Sequence, residues 1–258
     1  YTSPHTLSLH DALPIYPVAT SVALADKLET LAGLFGIGQL PTGDKDPFAL
    51  RRHALGVIRM LIEQELPVDL PALLAAAFAA FPAGLVTDAS GALEDFIHDR
   101  LRGYLADQGY TTNEIEAVVS QRPARLALVP KQLAAVRAFA ALPESKSLAA
   151  ANKRIGNILK KSEGEFTGAD VAVLVEPAER ELLSAYLDAR PRFDTLFDAQ
   201  DFTGALMTLA PLKAPVDAFF DGVMVMADDP KLRENRLALL SDLQRLMNRV
   251  ADISRLAT

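Results

Sequence analysis

The sequence predicts an all-α protein, and three observations carry that prediction. Ala and Leu dominate the 258 residues, Trp is absent and aromatic residues make up only 7%. Runs of β-branched residues are short, so the texture suits helices packed through aliphatic side chains better than strands. From Val18 onward apolar residues recur at three- and four-residue intervals, the period of an amphipathic helix.

The first helix is read from Val22, Leu24, Ala25, Leu28, Leu31, Ala32 and Phe35, and Gly36 and Gly38 end it. The turn-rich stretch GQLPTGDKD follows. At Asp46-Pro47 an Asp can cap a helix N-terminus, and Pro can take the first position without losing a needed N–H. That helix is expected to run to Gln64. Further helices are expected at 69–80, 90–108, 111–121, 130–141, 145–162, 176–188, 191–198, 201–213, 215–219 and 230–256, with breaks at Pro, Gly or Asp-rich points. Residues 1–16 lack both the periodicity and the Ala-Leu texture, and they have neither the basic start nor the apolar centre of a signal peptide. They read as a non-native leader, in which His10-Asp11 carries no function. Near Pro143 the charge pattern changes: Ala149–Lys161 is purely basic among its charges. The domain boundary is placed there, giving 17–142 and 143–258.

Composition also excludes. Without cysteine there is neither a disulfide framework nor a thiolate metal site. The longest apolar run, Leu70 to Phe81, is broken by Pro71 and bounded by Pro82, so no stretch reaches the ~18–20 residues that cross a bilayer. A cytoplasmic protein with no membrane partner is the expectation. The net charge of −7 opposes wholesale wrapping by nucleic acid, so DNA is not expected as a partner and any RNA site must be local.

The segment 148–161 offers such a site. At about 100° per residue, Lys153, Arg154, Asn157, Lys160 and Lys161 share roughly a third of the helix circumference, opposite Leu148, Ile155, Ile158 and Leu159. Cations without an acid suit phosphate oxygens, and Asn157 can meet a base edge. The plainer reading is a solvated face whose cations favour the helix C-terminus. Arg51 and Arg52 follow a capped helix start and could grip RNA phosphates or a partner's acids, or pair with Asp44, Asp46 or Glu63. Other patterns are weak. Gly33, Gly36 and Gly38 follow a helix rather than a strand, and TGDK at 42–45 lacks the flanking residues of a phosphate-binding loop. His98 is read at the edge of its helix and Asp99 outside it, and His53 as a helix-surface group.

ALADKLETLAGLFGIGQLPTGDKDPFALRRHALGVIRM resembles, nearly without gaps, a stretch of the β subunit of bacterial two-subunit glycyl-tRNA synthetases. Glu29 and Asp44 are mild departures from that pattern. LAAANKRIGNILKKS at 148–162 and PVDAFFDGVMVMADDPKLRENRLALLSDLQRLMNRVADIS resemble the same subunit, and the latter also resembles the anticodon-binding domain of arginyl-tRNA synthetases. The resemblance implies a helical portion related to HD metal hydrolases, then a C-terminal anticodon-binding bundle of the DALR type. Its implied partners are tRNA(Gly) and a separate α subunit in an α2β2 assembly, where ATP and Mg2+ serve the whole enzyme through the α subunit and no cofactor binds here. No catalytic residue is expected in this chain. Asp26 matches the last metal ligand of the HD pattern, but the other ligands are missing, so it is at most a vestige. Arg236 falls in phase with the apolar arc of the last helix. It is therefore expected either to pair with Asp221 or Asp201 or to contact tRNA. Two other readings stand beside this one: an HD-type metal-dependent phosphohydrolase fragment, and a non-catalytic helical scaffold.

Overall fold

Pro17 occupies the first turn of α1 (Pro17–Gly36), where its missing N–H has no intrahelical partner to lose. The computed structural model describes residues 13–14, 16–43, 45–162 and 164–257, so His10, Asp11, Asp44 and most of the expected leader lie outside the described residues. Pro14 is described, and its carbonyl accepts from Gln64 Nε2 at 2.8 Å. Among the described residues there is no β-strand, only an isolated bridge between Thr42 and Lys45. The chain divides into two units.

The first unit runs to Gly109 and takes back Arg122–Val129. It contains α1, α2 (Leu50–Glu63), α3 (Leu70–Ala79), α4 (Ser90–Asp107) and a 3-10 turn at Leu126–Leu128. Their apolar faces supply Leu31, Ala32, Ala54, Val57, Ile58, Leu61, Leu70, Leu93, Ile97 and Leu101, all fully buried. Gly36 is required where α1 ends, because a Cβ there would lie 2.6 Å from the Val86 Cβ. Its carbonyl accepts from both Thr87 N and Thr87 Oγ1. The second helix starts later than the sequence suggested. Ala49, left-handed at φ 53°, is its N-cap, and Asp46 reaches forward from the preceding turn to accept from Leu50 N and Arg51 N. The acid does satisfy orphan N–H groups, but from outside the helix.

The second unit comprises Tyr110–Gln121 and everything from Pro130. It holds α5 (Thr112–Val119), α6 (Val129–Ala140), α7 (Ser145–Lys160), α8 (Pro177–Asp198), α9 (Phe202–Met207), α10 (Lys213–Gly222), α11 (Pro230–Met247) and a final 3-10 turn, Ile253–Leu256. The packing boundary therefore differs from the expected one at Pro143, since α5 and nearly all of α6 belong here. Glu114 on α5 accepts from Arg137 on α6 through both carboxylate oxygens, at 2.7 and 2.9 Å. Ala117 O accepts from Asp252 N at 2.7 Å, and Gln132 Nε2 donates to Val250 O at 3.0 Å. A change of charge along the chain marks a change of surface, not of core.

Two breaks were misplaced. Pro191 sits inside α8, which runs unbroken where two helices were expected. Both Pro191 and Leu187, whose carbonyl loses its helical partner, face solvent, so water can replace the missing bond. The last helix, expected to reach 256, stops at Met247, and Asn248 turns its carboxamide into the interior. No single described helix is long and apolar enough to cross a membrane.

Candidate functional site

α7 grows out of a tight turn in which the Ser145 hydroxyl donates to Leu142 O at 2.7 Å. Its inner face buries Leu148, Ala149, Asn152 and Ile155, and the expected basic residues Lys153, Arg154, Lys160 and Lys161 are all exposed together with Asn157. The Arg154 guanidinium carbon lies over the Phe220 ring of α10, 4.1 Å from its centroid. That contact holds the cation by attraction to the ring face. Among the described residues Lys153, Lys160 and Lys161 form no ion pair.

Asn152 is a residue that periodicity missed. It is fully buried, and its Nδ2 donates to Asn248 Oδ1 at 2.7 Å while Asn248 Nδ2 returns a longer bond of 3.4 Å. The paired amides line a cleft of about 510 Å³ whose other lining residues include Lys153, Asn157, Lys160, Gln244 and Arg255 together with the acids Glu116 and Asp252. Gly156 makes room for it, because a Cβ there would lie 2.9 Å from Gln244 Nε2. Gln244 and Arg255 were not singled out in the sequence. A glycine inside a helix otherwise rich in good helix formers was the available signal, since it marks a close approach by a neighbour.

The other candidates lie elsewhere. Arg236 is 4% exposed, donates to Glu179 of α8 and, at 2.7 Å, to Met224 O. Its partner is thus neither Asp221 nor Asp201, and burial removes it from direct tRNA contact. In the first unit Arg51 donates to Gly43 O and Arg52 is exposed without an ion-pair partner among the described residues. Of the acids named for them, Asp44 lies outside the described residues, Asp46 holds the start of α2 and Glu63 pairs with Arg59 at 2.7 Å.

Asp26 is exposed on α1, and among the described residues no group of three His, Asp or Glu side chains could hold a metal ion. His53 is half-buried, and burial with the nearby Lys27 charge holds its pKa below the ordinary value. His98 corrects the sequence reading: it is buried at 3% exposure, with Nδ1 on Glu94 O at 3.0 Å. An apolar cleft of about 820 Å³ lies between α1, α3 and the 64–68 loop.

Residues 4–120 match the family described as glycyl-tRNA synthetase beta subunit, a match that begins inside the stretch read as a leader. Residues 148–253 match the DALR anticodon binding domain. The glycine–tRNA ligase beta subunit of Thiobacillus denitrificans is 62% identical over 248 residues, covering 96% of this chain and 35% of the relative. That of Leptothrix cholodnii is likewise 62% identical with the same coverage, and that of Ralstonia nicotianae is 59% identical, covering 96% and 36%. The chain thus spans about a third of the length of the curated relatives it matches. By these matches across both units, 96% of the chain is similar to glycyl-tRNA synthetase beta subunits.

Proposed function

We infer that this chain is the tRNA-binding, C-terminal portion of the β subunit of a two-subunit glycyl-tRNA synthetase, reading the anticodon arm of tRNA(Gly) through its second unit. The observation that carries this reading is the exposed cationic face of α7, set within the residues that match an anticodon-binding domain. Lys153, Lys160 and Lys161 are exposed and form no ion pair among the described residues, on a protein whose net charge is −7. Such a face favours a polyanion at one place while the rest of the surface repels it.

In this reading no bond is made or broken here. Attachment of glycine, with ATP and Mg2+, belongs to the α subunit of an α2β2 assembly in the cytoplasm. The β-subunit piece holds the tRNA body so that its acceptor end arrives there. Arg51 and Arg52, on the first unit, are candidates for a second contact with the tRNA or with the α subunit.

Titration of the chain with tRNA(Gly) at several salt concentrations tests the reading. The affinity should fall as salt rises, with about 0.7–0.9 in log-log slope per phosphate contact. Absence of binding at low salt, or binding indifferent to salt, overturns it.

A further inference from the structure

We propose that the cleft between α7 and the end of α11 is a pocket for one unpaired RNA base, read by its hydrogen-bonding edge through Asn157 and Gln244. This rests on the RNA-binding reading and goes beyond it by naming the subsite and the kind of recognition.

The cleft, about 510 Å³, is large enough for a nucleotide, and its lining has an unusual chemistry. Carboxamides come from three elements, Asn113 on α5, Asn152 and Asn157 on α7, Gln244 and Asn248 at the end of α11, and the carboxylates of Glu116 and Asp252 line the cleft beside them. Two of them, Asn152 and Asn248, satisfy each other and form a fixed wall. Facing each other from α7 and α11, Asn157 and Gln244 are unspent: among the described residues neither side chain has a hydrogen-bond partner. A phosphate alone would be served by cations and has no use for amide acceptors. A carboxamide offers a donor beside an acceptor, the arrangement that matches the edge of a base.

Lys153 and Lys160 stand on the same rim, one helical turn to either side of Asn157. That spacing places cations for the phosphates flanking a base seated against Asn157. Arg255 borders the cleft with one edge held by Asp252, its Nε donating at 3.1 Å. The lining contains no aromatic ring. A base held here gains little from stacking, which every base offers alike, and depends on edge contacts, which differ between bases. The pocket therefore discriminates more than it adds affinity. Gly156 is part of the device, because any larger residue would push into Gln244 Nε2.

The test measures Kd for tRNA(Gly) transcripts carrying each single substitution in the anticodon loop, with the unmodified transcript as reference. Wild type should disfavour substitutions at one position by about 5- to 150-fold, the range of one bidentate base contact. Gln244→Ala and Gly156→Ala should collapse that ratio towards one, mainly by raising Kd for the reference transcript. Asn157→Ala, at an exposed site where folding is not in question, should do the same. Discrimination retained by all three variants overturns the pocket while leaving the RNA reading intact, and so does wild-type binding without discrimination. Failure of the wild-type chain to bind any transcript overturns the RNA reading, and the pocket with it.

Discussion

Arg236 and Glu179, 57 residues apart in sequence, meet as a buried ion pair with the acid fully enclosed and the guanidinium 4% exposed. The second oxygen of Glu179 accepts from Val175 N and Glu176 N, both at 2.8 Å, so the same carboxylate caps α8. Arg236→Met should lower stability by about 3–5 kcal/mol, because it strands a buried charge that also holds a helix start. Urea unfolding reads this. Under conditions where the variant stays folded, its salt slope for tRNA should match wild type, since the guanidinium has no access to RNA.

The exposed cations of α7 divide into two kinds. Lys153→Ala, Lys160→Ala and Lys161→Ala should each flatten the log-log salt dependence by about 0.7–0.9 where the side chain meets a phosphate, with little change in unfolding midpoint. Arg154→Ala should in addition cost about 0.5–1 kcal/mol of stability, since it removes the stacking on Phe220. Unchanged slopes in all four would make this a merely solvated face.

Glu114 supplies a pH dependence. Hydrogen bonding from Arg137, and then from the Thr111 backbone N–H, holds its pKa down from 4.5 to about 2 against the opposing effect of burial. The folded state thus binds this proton less readily than the unfolded chain. Its contribution is full above 4.5 and declines as pH falls from there through about 2. Glu114→Gln should cost about 1.5–3 kcal/mol at neutral pH. It should also flatten the acid limb of a stability curve followed by circular dichroism. An acid limb identical to wild type counts against the pair.

The unit boundary predicts how the chain can be cut. A fragment beginning at Tyr110 keeps Glu114 with Arg137 and Ala117 with Asp252, and should unfold cooperatively. One beginning at Pro143 loses those partners and the Gln132 bond to Val250, and should not. Equal cooperativity in denaturant melts of the two fragments would restore the boundary at Pro143.

Helix type and order were legible because the apolar period is local, as at Leu24, Leu28 and Leu31, and so was the division of α7 into faces. What failed depended on distant partners. Pro191 looked like a break because sequence does not reveal that Leu187, whose carbonyl it leaves without a helical partner, lies on the solvent side. Asn248 looked like mid-helix because its partner Asn152 lies 96 residues away. His98 read as peripheral from its own helix alone, and Arg236 was rightly placed among apolar neighbours while its acid, Glu179, sits on another helix. Half of the cleft was visible as a charged stripe; the half formed by Gln244 and Arg255 needed the tertiary fold.

The bond from Gln121 Nε2 to Asn248 O closes a loop of 127 residues, and Ala117 waits for Asp252 in the same way. On a ribosome adding about 5–20 residues per second, α5 emerges on the order of ten seconds before the 248–256 segment that will cover it. Ile115, Val118 and Val119, all buried in the finished protein, have no final turn to pack against during that interval. The apolar side of α5 is thus a stretch of this polypeptide that a chaperone or a neighbouring nascent chain can reach while synthesis is still under way.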